Sequence, residues 1–137
     1  MDWQLGRAIK KMPFLTDDRE VSATPLRVLV PKMHYRKGVP TNLYKISLPN
    51  DNLVLLIAAT SDGYVQIPVR CPHRNTQLAN TGTVDPGTNS LFCQTDAITY
   101  SLLDGSCIEN LTSPQEDPGV LKTRRIERDG DYFNIYM

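Results

Sequence analysis

The sequence has no excess of charge of either sign and no hydrophobic run of membrane-spanning length. Fifteen basic and fifteen acidic residues give a formal net charge of zero, so composition gives no reason to expect a nucleic-acid or membrane-surface partner. The longest apolar run, Leu53–Ala59, has the length of a strand. No apolar segment typical of a secretory signal follows Met1, so a cytoplasmic setting, free or within a large assembly, is expected.

Cysteine and histidine are also scarce, with three cysteines and two histidines among 137 residues. In a cytoplasmic protein so few cysteines favour a metal site or thiols over a disulfide framework. Their spacing fits a four-ligand zinc site poorly, and no third group is evident that would orient a cysteine nucleophile paired with His73. Cys107 follows a turn and is expected to be a small buried residue. His34 is expected to be an ordinary strand or surface residue.

Long helical patterns are missing, and turn-forming residues are spread along the whole chain. Ten prolines and eight glycines separate short apolar segments, which is typical of an antiparallel all-β domain. Tyr44–Leu48, Leu53–Ala59 and Tyr64–Arg70 are predicted strands, and the last of them alternates apolar and polar residues. A chain of this length can bury one hydrophobic core without disulfide bonds or a bound metal to stabilise it.

The first 24 residues form a separate segment in this interpretation. Met1–Met12 could be a short helix that Pro13 ends, and Phe14–Thr24 is acidic and turn-like. Composition favours a flexible tail, and the alternative is an arm that docks on another subunit. The predicted organisation is therefore an N-terminal arm over 1–24 and one domain over 25–137, beginning with a strand at Leu26–Val30.

Two short motifs contain three of the five cysteine and histidine residues. Cys71-Pro72-His73-Arg74 and Cys93-Gln94-Thr95-Asp96 are placed so that nineteen residues separate His73 from Cys93. They resemble the two loops of Rieske [2Fe-2S] domains, which read Cys-x-His and Cys-x-x-His, as in Rieske ferredoxins and ring-hydroxylating oxygenases. The difference is Asp96, which stands where the family has its second histidine.

The resemblance extends over roughly residues 43–137. Leu78 stands where the family packs an apolar residue beside the cluster, and Thr83-Val84-Asp85 precedes the hairpin that carries the second loop. Ser113–Gly119 is similar to the family's proline-containing covering loop. Leu121–Arg128 and Asp131–Tyr136, around Asp129-Gly130, resemble its closing hairpin. The resemblance implies a Rieske-like antiparallel β-sandwich with a small cluster-binding subdomain at about 70–119, plus the N-terminal extension.

The resemblance also implies a ligand set, with Cys71 and Cys93 on one iron and His73 and Asp96 on the other. Two ferric ions, two sulfides and two thiolates sum to zero, so an Asp96 carboxylate would make the oxidised cluster negative. Its reduction potential is then expected between the Rieske and plant-type ranges. Two further departures lie beside the ligands: Asn75 replaces the usual glycine, and Ala97-Ile98 replaces a Gly-aromatic pair.

Three functions remain open at this stage. The first is a Rieske-type electron carrier or redox subunit that serves a protein partner. The second is a cluster-free structural subunit of a large assembly, such as a phage particle or multi-enzyme complex, attached through residues 1–24. The third is a thiol switch in which a Cys71–Cys93 disulfide forms and opens. The chain is not expected to be catalytic alone, because the family's oxygenases carry a separate mononuclear-iron domain.

Overall fold

The computed structural model of the chain describes residues 25–95, 97–111 and 117–136. The predicted helix and arm over 1–24 lie outside these residues, as do Asp96 and most of the Ser113–Gly119 segment. Within the described residues the fold is almost entirely β, as predicted. The strands are β1 Leu26–Leu29, β2 His34–Arg36, β3 Val39–Leu48, β4 Leu53–Ala59, β5 Tyr64–Ile67, β6 Gly82–Asp85, β7 Ser90–Cys93, β8 Ile98–Ser101, β9 Cys107–Asn110, β10 Arg124–Asp129 and β11 Tyr132–Ile135. The described residues also include a 3₁₀ turn, Pro49–Asp51, and a one-turn helix, α1 Leu78–Thr81.

The strands form two antiparallel sheets. The larger has the order β1-β11-β10-β5-β4-β3-β2, and the smaller has the order β6-β7-β8-β9. Strand β5 ends at Ile67 and not at the predicted Arg70, because Pro68 has no N–H for the sheet ladder. No described helix is long and apolar enough to cross a membrane.

Strand β4 explains why Leu53–Ala59 is apolar throughout. Its residues alternate between two cores: Leu55 and Ile57 belong to one, and Leu56 and Ala58 to the other. The first core lies within the seven-stranded sheet and includes Phe133. The second joins that sheet to the four-stranded one. A strand buried on both faces reads as a continuous apolar run and not as an alternation.

Edge strand β2 is fastened to the short helix that precedes the smaller sheet. Arg36 Nη2 donates to the carbonyl oxygens of Ala79 and Gly82, each at 2.8 Å. His34 Nε2 lies 2.8 Å from the same Ala79 oxygen, so His34 is a strand residue with a structural contact. A cation at the end of a helix satisfies carbonyls that have no partner within the helix. Arg36 therefore fixes α1 against the larger sheet.

Replacing Arg36 with methionine is expected to lower the free energy of unfolding by about 2 kcal/mol, because partly buried carbonyls lose their charged donor. Urea unfolding measures the change. Arg125→Met is the matched control, since Arg125 pairs with Asp62 at 3.2 Å on the surface, where ion pairs contribute less than about 1 kcal/mol. Equal losses in the two variants would contradict a special role for Arg36.

Candidate functional site

The first cysteine loop is a closed turn between β5 and α1. Cys71 N donates to the Thr76 carbonyl oxygen and Asn75 N donates to the Cys71 carbonyl oxygen, both at 2.8 Å. Arg70 and Gln77 form a β-bridge at its base. Asn75 has φ +61°, a left-handed conformation that asparagine tolerates better than most residues. Asn75 therefore gives this loop a backbone conformation that glycine adopts most readily.

The second cysteine loop connects β7 to β8. Cys93 and Ile98 are partners in the ladder, and Gln94 N donates to the Thr81 carbonyl oxygen at 2.8 Å, which ties this loop to α1. Ala97 has φ +52°, a conformation that disfavours any residue with a Cβ. Asp96 precedes it and lies outside the described residues.

The structure brings the two predicted thiol ligands together. Cys71 and Cys93 are 1% and 0% exposed, and both are thiols in the structure. The Cys93 thiol, hydrogen bonded to Cys71, raises the pKa of the Cys71 thiol above its ordinary value, and burial raises it further. Backbone N–H groups of His73 and Arg74 donate to the Cys71 sulfur and act in the opposite direction, because they stabilise the thiolate.

Hydroxyl groups of three described residues lie near these sulfurs. Thr81 Oγ1 and Thr76 Oγ1 lie 3.7 Å and 4.0 Å from Cys93 Sγ. Tyr100 Oη lies 3.9 Å from Cys71 Sγ and donates to the Pro118 carbonyl oxygen at 2.6 Å. Burial raises the pKa of Tyr100, and the nearby Cys71 raises it further. Each of the two sulfurs therefore has at least one side-chain hydroxyl nearby that could donate a hydrogen bond to it.

Sequence reasoning did not single out these hydroxyl residues. The signal that could have found Tyr100 is the two-residue period of β8, because Tyr100 shares a sheet face with Ile98, the ladder partner of Cys93. No comparable signal exists for Thr76 or Thr81, since each approaches Cys93 through the fold of a loop or a one-turn helix.

The remaining predicted ligands are less well defined. His73 follows Cys71 by two positions and is half-buried. Over the described ranges, which leave out Asp96, no three histidine, cysteine, aspartate or glutamate side chains converge as a metal-binding group. Cys107 is half-buried against the core and stands in β9, away from either loop in sequence. The structure thus assembles the thiol pair and leaves the assignment of His73 and Asp96 as a prediction.

The segment that begins at Asp117 lies against the first cysteine loop. Gly119 has φ +73°, and a Cβ there would lie 3.1 Å from Pro72 Cβ. Pro118 accepts the Tyr100 hydrogen bond, and Leu121 N donates to the Gly105 carbonyl oxygen at 2.9 Å. The part of the predicted proline-containing loop that the structure describes thus contacts the cysteine loop.

Replacing Ala97 with glycine is expected to raise the free energy of unfolding by about 1 kcal/mol, because glycine adopts a positive φ without the cost that a Cβ brings. Asn75→Gly is the matched control in the other loop and should change stability by less than about 0.5 kcal/mol, because asparagine tolerates this region. Urea unfolding of both variants tests the difference. A loss of stability in Ala97→Gly would show that its φ is not strained.

A comparison with protein families identifies the class. The family model described as Rieske [2Fe-2S] domain matches residues 30–125. The chain therefore belongs to the Rieske family, whose members hold a [2Fe-2S] cluster and act in electron transfer. The matched range includes both cysteine loops and begins earlier than the resemblance noted from the sequence. No curated protein and no solved structure matches the chain significantly.

Proposed function

We propose that this protein is a Rieske-type electron carrier, or the redox subunit of a larger complex, with a [2Fe-2S] cluster held by its two cysteine loops. Cys71 and Cys93 would ligate one iron, and His73 and Asp96 the other. The observation that carries the proposal is the contact between the two buried cysteine thiols, with backbone N–H groups directed at the Cys71 sulfur.

The donor chemistry of the described residues fits the thiolate half of such a site. Thiolates are the iron ligands in these clusters, and hydrogen bonds to sulfur tune their potentials. Here the N–H groups of His73 and Arg74 favour the thiolate form of Cys71. Because ligating thiols must lose their protons, iron loading is favoured by higher pH. A bound cluster would supply reversible one-electron transfer.

The residues around the thiols perform the remaining tasks. The Tyr100 hydroxyl lies beside the Cys71 sulfur and donates to the Pro118 carbonyl oxygen, which connects the two segments. Asn75 and Ala97 keep the left-handed turns of the two loops. A carboxylate at Asp96 is a competent hard ligand for iron. The partner would be a protein that exchanges single electrons, and residues 1–24 are the proposed contact.

Iron and acid-labile sulfide content of anaerobically purified protein tests the proposal. We expect about two irons and two sulfides per chain, with visible charge-transfer absorption. Cys71→Ser should lose the iron and the absorption, whereas Cys107→Ser, the matched control, should keep both. Wild-type protein without iron, or equal iron content in the two variants, would reject the proposal.

The contact between the thiols also favours a second candidate, a thiol switch that closes a Cys71–Cys93 disulfide. The raised pKa of Cys71 argues against this switch, because thiol–disulfide exchange proceeds through the thiolate, which a raised pKa makes scarcer. Mass spectrometry after thiol alkylation, with and without prior reduction, tests this function. An identical pattern of alkylation in the two samples would eliminate the switch.

A further inference from the structure

A cavity of about 170 Å³ opens between the larger sheet and the base of the first cysteine loop. Its inner surface includes Leu56 and Ala79, which are 1% and 6% exposed. Val54 and Val69 also line it, and they are among the large hydrophobic side chains that the fold leaves exposed. The interior of the cavity is therefore aliphatic.

Polar groups line the same cavity from exposed positions. They are Lys45, Arg70 and Gln77. The Lys45 side chain makes no hydrogen bond or ion pair with another residue that the structure describes, although its backbone pairs with Leu56 in the sheet. Arg70 Nη1 donates to the Asn75 carbonyl oxygen at 2.9 Å. No carboxylate is among the described lining residues. The cavity therefore joins an apolar interior to two cations that no acidic lining residue neutralises.

The volume limits the ligand. Drug-sized molecules occupy pockets of about 300–1,000 Å³, whereas a protein cavity of about 150 Å³ lined by apolar side chains accommodates benzene. A cavity of about 170 Å³ therefore suits one small ring or a short branched chain. The aliphatic lining favours an apolar body, and the two cations favour a carboxylate.

We propose that this cavity binds a small monocarboxylic acid, with its aliphatic body against Leu56 and Val54 and its carboxylate paired with Lys45 and Arg70. This binding site is separate from the proposed electron-transfer function and does not require a cluster. It is nevertheless adjacent to the cysteine loop, because Arg70 precedes Cys71 and is hydrogen bonded to the loop residue Asn75.

The proposal is tested by titrating the full-length protein with cyclohexanecarboxylate. NMR spectroscopy follows the chemical shifts of the backbone amides of Lys45 and Val54. We expect saturable shifts with a dissociation constant of about 1 mM or tighter. Lys45→Gln should weaken binding about fivefold, the effect of one exposed charge pair. Lys32→Gln, the matched control at an exposed lysine outside the cavity lining, should leave binding unchanged.

Two analogues test the contributions of the carboxylate charge and of the apolar ring separately. Cyclohexanecarboxamide lacks the charge and acetate lacks the ring, so each should bind at least about fivefold more weakly. Val54→Phe, which fills the cavity from a partly exposed position, should abolish binding. Absence of saturable shifts, equal binding of either analogue, or an unchanged dissociation constant in Lys45→Gln would overturn the proposal.

Discussion

Replacing Gly105 with alanine is expected to lower the free energy of unfolding by at least about 3 kcal/mol. Gly105 has φ +78°, and a Cβ there would run into the backbone carbonyl of Leu121. The backbone has little freedom to relax, because Gly105 N donates to the Ser101 carbonyl oxygen and Leu121 N donates to the Gly105 carbonyl oxygen, both at 2.9 Å. The cost of the positive φ, about 1–2 kcal/mol, adds to the collision.

Gly38→Ala separates these two causes. Gly38 has φ +79°, yet nothing lies within 4 Å of the position its Cβ would take. This variant should lose only about 1–2 kcal/mol, the cost of the backbone conformation alone. Urea unfolding of both proteins gives the comparison. If both lose the same amount, the contact with Leu121 is not the cause of the larger effect.

Replacing Asp96 with histidine is expected to raise the reduction potential of the proposed cluster by on the order of 100 mV or more. A ligating carboxylate gives the oxidised cluster one negative charge, and a neutral imidazole removes it. Adding an electron to a neutral cluster is easier, so the potential rises towards the Rieske range. The added imidazole also titrates, so the potential should depend on pH more strongly than in the wild type.

Protein-film voltammetry across a range of pH measures both effects. Asp131→His is the matched control, since it makes the same substitution at an exposed residue in the turn between β10 and β11, where solvent and salt screen the charge. It should leave the potential nearly unchanged. Equal shifts in the two variants, or no shift in Asp96→His, would show that Asp96 is not an iron ligand.

Much of the fold could be predicted because the deciding signals are local. The apolar run Leu53–Ala59 forms β4 with the predicted bounds, whereas the predicted strand Tyr64–Arg70 was too long, since β5 ends at Ile67, just before Pro68. Asn75 and Ala97 were identified as departures from glycine, and both adopt the left-handed conformation. The motif spacing preserved enough of the family's pattern to predict which two thiols meet.

The rest depends on contacts between distant parts of the chain. Arg36 lies 43 residues before Ala79, whose carbonyl oxygen it binds, and the sequence around Arg36 is that of an exposed edge strand. Nothing in the sequence distinguishes Thr81 from the other threonines; its hydroxyl lies beside Cys93 only because of the position of α1 in the fold. Periodicity assigns a residue to a face but not to a partner, so these roles required the fold.

The strand shared by the two cores has a consequence for engineering. Leu56 and Ala58 of β4, with Val65 and Ile67 of β5, are packed in one core with Cys71 and Cys93. A fragment limited to residues 70–119 would leave that hydrophobic surface uncovered, and we expect a fragment so short not to fold alone, because short chains bury a small fraction of their surface. The cysteine loops therefore cannot be grafted onto another protein by themselves. The host protein must already have two strands that present apolar side chains to the loops, as β4 and β5 do here.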